Sequence, residues 1–433
     1  MTENNQEWDS QQLGKAAIIV GVKLPQDAED SETSTLNELE SLLKTLGVKT
    51  LGRITQKRPK LCAKSLVGQG KVDEIKEEVD LLCADMVVFE RSLSGPQIRN
   101  LEKLFGVGVF DRTGIILEIF SRHARTSQAK TQVEIARLEY LLPRLSGAWT
   151  HFQRQTGGGI KSRGMGEKQL EVDRRQARLR ISKLQQKLRH IDVECQTRRK
   201  ARSSEWRVAL VGYTNTGKTT LMHGLTRSIR QGEDELFATL DTQIKVLDPK
   251  TRPKILITDT VGLISNLPHK LIESFKSTLQ EVVEADLLLH VIDLSHPHYS
   301  EQMATTQEVL AEIGADHIPV INVFNKVDSV EDKILPRVLK GVYNRCLVIS
   351  ANRKNDIEFL RDRVYDFFRQ NLYEAHLVVP QEDHQGQSQV FANCLIIDSD
   401  YSDPNRVLFI VQATRPTLMK LKPFISKLVE RRA

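Results

Sequence analysis

A six-residue apolar run, Trp206 to Val211, leads into Gly212, Tyr213, Thr214, Asn215, Thr216, Gly217, Lys218 and Thr219. The octet fits G-x-x-x-x-G-K-[ST], and the residues from Thr220 to Leu225 can continue as a helix. Strand, glycine loop and helix in this order confine the region to an α/β fold that cradles phosphate. The glycines let the backbone curl so that successive N–H groups point at phosphate oxygens. Lys218 is placed to reach the β- and γ-phosphates, and the Thr219 hydroxyl to ligate Mg²⁺. An ordinary glycine-rich turn is the weaker alternative.

Three downstream segments point to guanine. Asn325, Lys326, Val327 and Asp328 follow the apolar run Ile318 to Phe324. An aspartate at a strand's carboxyl end can accept hydrogen bonds from the guanine ring N–H and exocyclic amine. Adenine lacks that pattern and would leave a buried carboxylate unpaired. Asn325 can bond the base edge, and the Lys326 stem can lie over the ring. Asp259, Thr260, Val261 and Gly262 close the run Lys254 to Thr258. There Asp259 is expected to hold Mg²⁺, and the Gly262 amide to sense the γ-phosphate. Ser350, Ala351 and Asn352 follow Arg345 to Ile349 and could support the guanine carbonyl through backbone N–H groups.

Between these segments lie Phe237, Ala238, Thr239, Leu240 and Asp241. A loop that senses the γ-phosphate needs a hydroxyl for Mg²⁺, and Thr239 is the best-placed candidate, with Thr242 as local competitor. The metal set is therefore Thr219, Thr239 and Asp259, and the groups nearest the chemistry are Lys218, Thr239 and Gly262. Leu263 follows Gly262 where Ras-like proteins use a glutamine to orient water. Leucine has no polar atom, so hydrolysis by the chain alone is expected to be slow and accelerated by a partner. Positioning and electrostatics, rather than a general base, then carry the reaction.

At 433 residues and 40% hydrophobic content, the chain can bury two or more cores. No apolar stretch reaches membrane-spanning length, and the polar start is unlike a signal peptide. Five scattered cysteines without a C-x-x-C favour a reducing cytoplasm over disulfides or zinc. Residues 1–121 alternate strand-like and helix-like runs, predicting a small α/β domain with a parallel sheet. Within it, Gly68, Gln69 and Gly70 read as a helix-initiating turn rather than a second phosphate loop.

Charge concentrates in residues 122–203. Ile135, Leu138, Leu142 and Leu145 step by three and four, as do Ala177, Ile181, Leu184, Leu188 and Ile191. Two such stripes predict an antiparallel helical hairpin with a glycine-rich tip. Residues 161–202 hold 14 Lys/Arg against 5 Asp/Glu, a local +9 in a chain of +6, so the remainder sums to −3. One basic arm on a mildly acidic protein implies a phosphate-backbone partner. Trp149 and Phe152 could stack on unpaired bases, while Arg154, Lys161, Arg163, Lys168, Arg174 and Arg175 supply positive charge. A solvated coiled-coil face and core packing of Trp149 are the competing readings. Residues 204–371 form the phosphate-loop domain, and 372–433 a small α/β appendage with strands near 377–379, 394–397 and 407–411 and a closing helix over 418–431.

These residues resemble the HflX family of ribosome-associated GTPases over about 15–370. Similar segments are Phe110 to Phe120 with Arg122 to Thr126, Gln132 to Leu145, and the glycine-rich run Gly157 to Arg175. Gly212 to Leu221, Phe237 to Asp241 and Asp259 to His269 also resemble the family closely. Its Gly-Pro-Gly-Glu stands here as Gly164, Met165, Gly166 and Glu167, followed by Lys168 in place of threonine. The resemblance implies an Mg²⁺-dependent GTPase, cytoplasmic and monomeric off the ribosome, that binds the large (50S) subunit and its 23S rRNA. It also implies that the protein promotes dissociation of 70S ribosomes under stress. A ribosome-assembly GTPase, or an RNA-binding adaptor using GTP as a structural ligand, would show the same loop and basic arm.

Overall fold

A computed structural model describes residues 14–27, 31–144, 163–201, 205–228, 236–237, 239–249, 251–264, 276–332, 334–343 and 345–429. The chain forms two compact units. One comprises residues 1–194, 235–241 and 266–275, and the other 195–234, 242–265 and 276–433.

The first unit is built on a parallel sheet ordered β2-β1-β3-β4. Its strands are β1 (Ala16–Lys23), β2 (Lys49–Lys57), β3 (Met86–Phe89) and β4 (Gly108–Asp111). Ile18, Ile19, Val20, Val87, Val88 and Phe89 are fully buried or nearly so, because helices cover both faces. The connections are α1 (Ser31–Thr45), α2 (Gln69–Leu82) and α3 (Gly95–Phe105). Gly68 caps α2, so the Gly68–Gly70 turn does initiate a helix. Ser94 and Gln97 form a capping box that starts α3, and Gly106 closes it in the left-handed conformation at φ +77°.

Next come α4 (Arg112–His123), α5 (Ser127–Leu141) and the long α6 (Arg163–Ala201). Ile135 and Leu138 of α5 pack with Ile181, Leu184 and Leu188 of α6, along the stripes read from the sequence. Arg180 and Glu134 add an ion pair at 2.9 Å on the exposed side of that seam. Asp111 fixes the end of α5 that leads into the glycine-rich connector. Its carboxylate accepts from Gly114 N at 2.9 Å, capping α4, and from Leu93 N at 2.9 Å. It also accepts from the Tyr140 hydroxyl and from the Arg144 guanidinium at 2.9 Å. Burial, then the neighbouring Asp111 charge, push the Tyr140 hydroxyl well above its usual pKa, so it stays a donor.

The second unit contains a six-stranded sheet ordered β10-β9-β8-β5-β7-β6. Its strands are β5 (Trp206–Val211), β6 (Gln243–Val246), β7 (Ile255–Asp259), β8 (Leu287–Asp293), β9 (Val320–Asn325) and β10 (Cys346–Val348). Only β6 among these described strands runs antiparallel to its neighbour. The helices are α7 (Lys218–Thr226), α8 (Lys276–Val283), α9 (Tyr299–Glu312), α10 (Leu335–Val342) and α11 (Lys354–Arg369). Val208, Leu210, Ile257, Leu289 and Val291 of the sheet pack against Leu221 and Leu225 of α7 and Leu360, Val364 and Phe368 of α11. The strand order reverses at β5, the position in such sheets where ligands bind at the strands' carboxyl ends.

The same unit ends in an antiparallel sheet ordered β12-β13-β11-β14. It comprises β11 (Tyr373–Pro380), α12 (His384–Asn393), β12 (Leu395–Asp400), β13 (Arg406–Ala413), α13 (Arg415–Lys420) and β14 (Ile425–Val429). The closing helix expected over 418–431 is therefore a short helix followed by a strand. Pro423 has no N–H for the helical ladder and its ring would strike a preceding carbonyl. Beyond it, Ile425 and Leu428 pair opposite Leu377 and Ala375 of β11.

Candidate nucleotide site

The loop after β5 takes a shape that requires glycine at two positions. Gly212 has φ +150°, and a Cβ there would lie 2.2 Å from the Val291 carbonyl oxygen. Gly217 has φ +91°, and a Cβ would lie 2.4 Å from Asn325 Nδ2. Asn215 at φ +57° uses the tolerance of asparagine for left-handed backbone. Thr216 and Tyr213 close the turn through a hydroxyl-to-carbonyl bond of 3.1 Å. Lys218 opens α7, is buried, and donates from Nζ to the carbonyls of Gly212 at 3.1 Å and Tyr213 at 2.6 Å.

Burial pulls the Lys218 pKa down to about 8, while the Asp259 carboxylate acts to raise it. A phosphate chain beside Nζ restores the ammonium. Triphosphate binding above about pH 8 should therefore be accompanied by proton uptake. The same linkage makes affinity fall as pH rises above about 8. Calorimetry in buffers of different ionisation heat checks this; zero uptake would place Lys218 away from the phosphates.

The Thr219 hydroxyl donates to Asp259 Oδ2 at 2.8 Å, bringing together a hydroxyl and a carboxylate, hard oxygen donors that suit Mg²⁺. Thr220 follows on α7, and the Thr260 hydroxyl fastens the end of β7 to the Leu210 carbonyl at 2.6 Å. Val261 and Leu263 are buried. Leu263 exchanges backbone bonds with the phosphate loop, donating to Gly212 O at 3.0 Å and accepting from Thr214 N at 2.8 Å. A Cβ on Gly262 would meet Thr214 Cα at 2.9 Å and Lys218 Nζ at 3.2 Å. Asp259, Gly262 and the glycine loop thus converge around one ammonium.

At the ends of β9 and β10 the second set assembles. Asn325 is buried; its amide donates to Thr216 O at 2.8 Å, and its carbonyl accepts from Ala351 N at 2.9 Å. One side chain therefore joins the phosphate loop to the segment Ser350, Ala351 and Asn352. Ser350 N donates to Asp356 at 2.8 Å, and Asn352 N to the Ser350 hydroxyl at 3.3 Å. Lys326 sits in the left-handed region at φ +60°, with Nζ 2.7 Å from Asp293. Val327 and Asp328 form a 3₁₀ turn. Asp328 is exposed, and the Ser350 side chain foremost, helped by Arg353 and Asn352, holds its carboxyl below the usual range. Asp328 is thus an accessible carboxylate just beyond the carboxyl end of β9.

Residues 33–121 match the family model of a GTP-binding GTPase N-terminal region, and 123–202 that of a GTP-binding GTPase middle region. Residues 207–326 match the model of a 50S ribosome-binding GTPase. The GTPase HflX of Gluconacetobacter diazotrophicus is 38% identical to this chain over 94% of it and 97% of the relative. The chain belongs to the HflX family of GTPases. The GTPase HflX of Akkermansia muciniphila is 42% identical over 96% of the chain and 98% of its own length. A GTP-binding protein of Sulfolobus solfataricus, solved with GDP, covers 82% of this chain and 99% of its own at 23% identity and TM-score 0.44. As a member of the HflX family the chain is a GTP hydrolase.

The remaining residues singled out in the sequence fall elsewhere. Phe237, Thr239, Leu240 and Asp241 lie in the first unit, and Ala238 is outside the described residues. Phe237 meets Phe120 edge-on with ring centroids 4.8 Å apart. Asp241 accepts from Arg125 N at 2.8 Å, Thr126 N at 3.1 Å and the Thr126 hydroxyl, at the start of α5. Trp149, Phe152, Arg154 and Lys161 lie outside the described residues. Arg163 and Lys168 fall within α6, where Arg174 is half-buried and Arg175 exposed.

Two residues escaped the sequence reading. Asp293 comes beside Asn325 through the pairing of β8 with β9, and its position at a strand's carboxyl end was the available signal. His290, buried on β8 within an apolar run, gave none. Burial foremost, with the Lys218 charge adding, lowers its pKa to about 4 against an Asn322 hydrogen bond, so it is neutral beside the loop.

Proposed function

We propose that this HflX-family GTPase binds the large ribosomal subunit in its GTP-bound state and promotes dissociation of 70S ribosomes. The observation that carries the proposal is the pairing of a guanine-type loop set with one strongly basic helical arm. Residues 161–202 carry a local +9, while the rest of the chain sums to −3. Such an arm is drawn to a polyanion, and the 50S ribosome-binding GTPase model that matches residues 207–326 supports an rRNA-rich partner.

In this reading Lys218 and the loop amides of Tyr213 to Thr219 hold the phosphates, and Asp328 selects guanine. Thr219 and Asp259 would hold Mg²⁺, which would supply charge neutralisation at the transferring phosphoryl. Gly262 reports the γ-phosphate. Leu263 is buried and apolar, so the geometry of the attacking water depends on the particle that the GTP-bound chain docks on. Turnover is slow for the chain alone and rises with ribosomal subunits.

Sucrose-gradient sedimentation of purified 70S particles with the chain and a non-hydrolysable GTP analogue tests this. The 70S peak should shrink in favour of 50S and 30S, with the chain on the 50S peak. Replacing Lys161, Arg163, Lys168 and Arg174 by alanine should weaken 50S association, lower the slope of log affinity against log salt by about 3, and spare GTP affinity. An unchanged 70S peak would favour a role in subunit assembly. Undetectable turnover with 50S present would favour an adaptor that uses GTP structurally.

A further inference from the structure

Asp293 ends β8, and the parallel pairing of β8 with β9 sets it opposite Asn325. The last residue of one strand thus stands beside the segment Asn325 to Asp328 of the next. Both oxygens of its carboxylate are engaged. One, Oδ1, accepts from the Ser295 amide at 3.0 Å and from the Ser295 hydroxyl at 2.6 Å. The other, Oδ2, lies 2.7 Å from Lys326 Nζ. A side chain tied to the amide two residues on forms a local turn, which fixes the carboxylate from its own strand end. Leu294, inside that turn, donates its N–H to the Asn325 carbonyl at 3.0 Å. The turn is therefore fastened to β9 one residue ahead of Lys326.

Lys326 is held at its other end by the backbone. Its φ of +60° lies in the left-handed region, which a lysine occupies only where its surroundings impose it. Ser329 N donates to the Lys326 carbonyl at 3.0 Å, and Val327 N to the Ile349 carbonyl at 3.3 Å. With the main chain and the ammonium both fixed, the four-carbon stem between them is confined. The side chain is still 30% exposed, against 14% for Asp293, so it keeps surface that a ligand can cover. A partly exposed ion pair contributes little to folding. Its consequence lies in where it holds the lysine.

We propose that Asp293 is a positioning residue of the guanine nucleotide site: it pins the Lys326 ammonium and so pre-orders the methylene stem on which the base lies. The role rests on the proposed placement of the Lys326 stem over the ring. A free lysine chain loses rotamer freedom when a ring settles on it, whereas a pinned chain has lost that freedom before the ligand arrives. Methylene groups neither donate nor accept, so the gain is the same for any purine ring. Asp328 would then decide which base is bound, and Asp293 how tightly.

The test titrates the full-length chain with GDP and GTP against a fluorescent guanine nucleotide. Asp293→Asn keeps the size of the side chain and an oxygen for the Ser295 donors, but removes the charge. It should weaken GDP and GTP alike by about fivefold, the freedom of one immobilised lysine chain. Lys326→Met keeps a stem without an ammonium and should lose the same factor, and the double variant should be no weaker than either single one. In an Asp328→Asn background, Asp293→Asn should weaken xanthosine diphosphate by that factor too. Asp293→Asn within twofold of the parent overturns the proposal, and so do losses that multiply in the double variant, because Asp293 would then act apart from Lys326. Lys326→Ala, which removes the stem, separates the two levels. If it weakens GDP while Asp293→Asn does not, only the role of Asp293 falls; if it too leaves GDP affinity unchanged, the placement of Lys326 over the base falls with it.

Discussion

Asp328→Asn should cost the chain at least a hundredfold in GTP affinity and give it measurable affinity for xanthosine triphosphate. The carboxylate is exposed at the carboxyl end of β9 and kept ionised chiefly by the Ser350 side chain. Two N–H groups of guanine can bond one carboxylate, each charge-assisted contact contributing about 1.5–3 kcal/mol. Asparagine offers one acceptor and one donor, so one guanine N–H meets an amide N–H instead. Xanthine has a carbonyl where guanine has an amine, and the substituted amide then fits. Competition of both triphosphates against a fluorescent guanine nucleotide measures the exchange. Equal GTP affinity in parent and variant would remove Asp328 from the base site.

Gly262→Ala should leave GDP affinity within about threefold and reduce GTP turnover about a hundredfold, the size expected when one charge-stabilising amide is misplaced. The added Cβ would stand 2.9 Å from Thr214 Cα and 3.2 Å from Lys218 Nζ. Backbone atoms cannot yield as a flexible side chain can, so the segment behind Asp259 must move away from the phosphate loop. GDP has no γ-phosphate and makes no use of that amide. Single-turnover hydrolysis with 50S subunits present, alongside GDP titration, separates the two effects. Parent-like turnover would mean that Gly262 is not the γ-phosphate sensor.

Much of this was legible before any fold was known, for identifiable reasons. The phosphate loop demands a strand before it and a helix after it, and Trp206–Val211 and Lys218–Thr226 supply them. The seam of α5 and α6 followed from apolar steps of three and four, because helix periodicity alone decides which side chains meet. Other features depend on partners distant in sequence. Nothing in Phe237 to Asp241 announced that Phe237 would pack on Phe120 or that Asp241 would accept from Arg125 and Thr126. His290 was hidden because one histidine does not break the strand pattern of its neighbours. The strand after Pro423 was misread because Leu418, Leu421, Ile425 and Leu428 keep a helical spacing that the proline overrides.

Asp111 gives the chain a fixed point just ahead of the glycine-rich connector. Four donors from Leu93, Gly114, Tyr140 and Arg144 converge on its two oxygens. The end of α5 is thereby clamped to the last strand of the parallel sheet rather than swinging from a flexible joint. A pull on the chain just beyond Arg144 is therefore borne by the sheet itself, through the bonds at Asp111, and not by α5 alone.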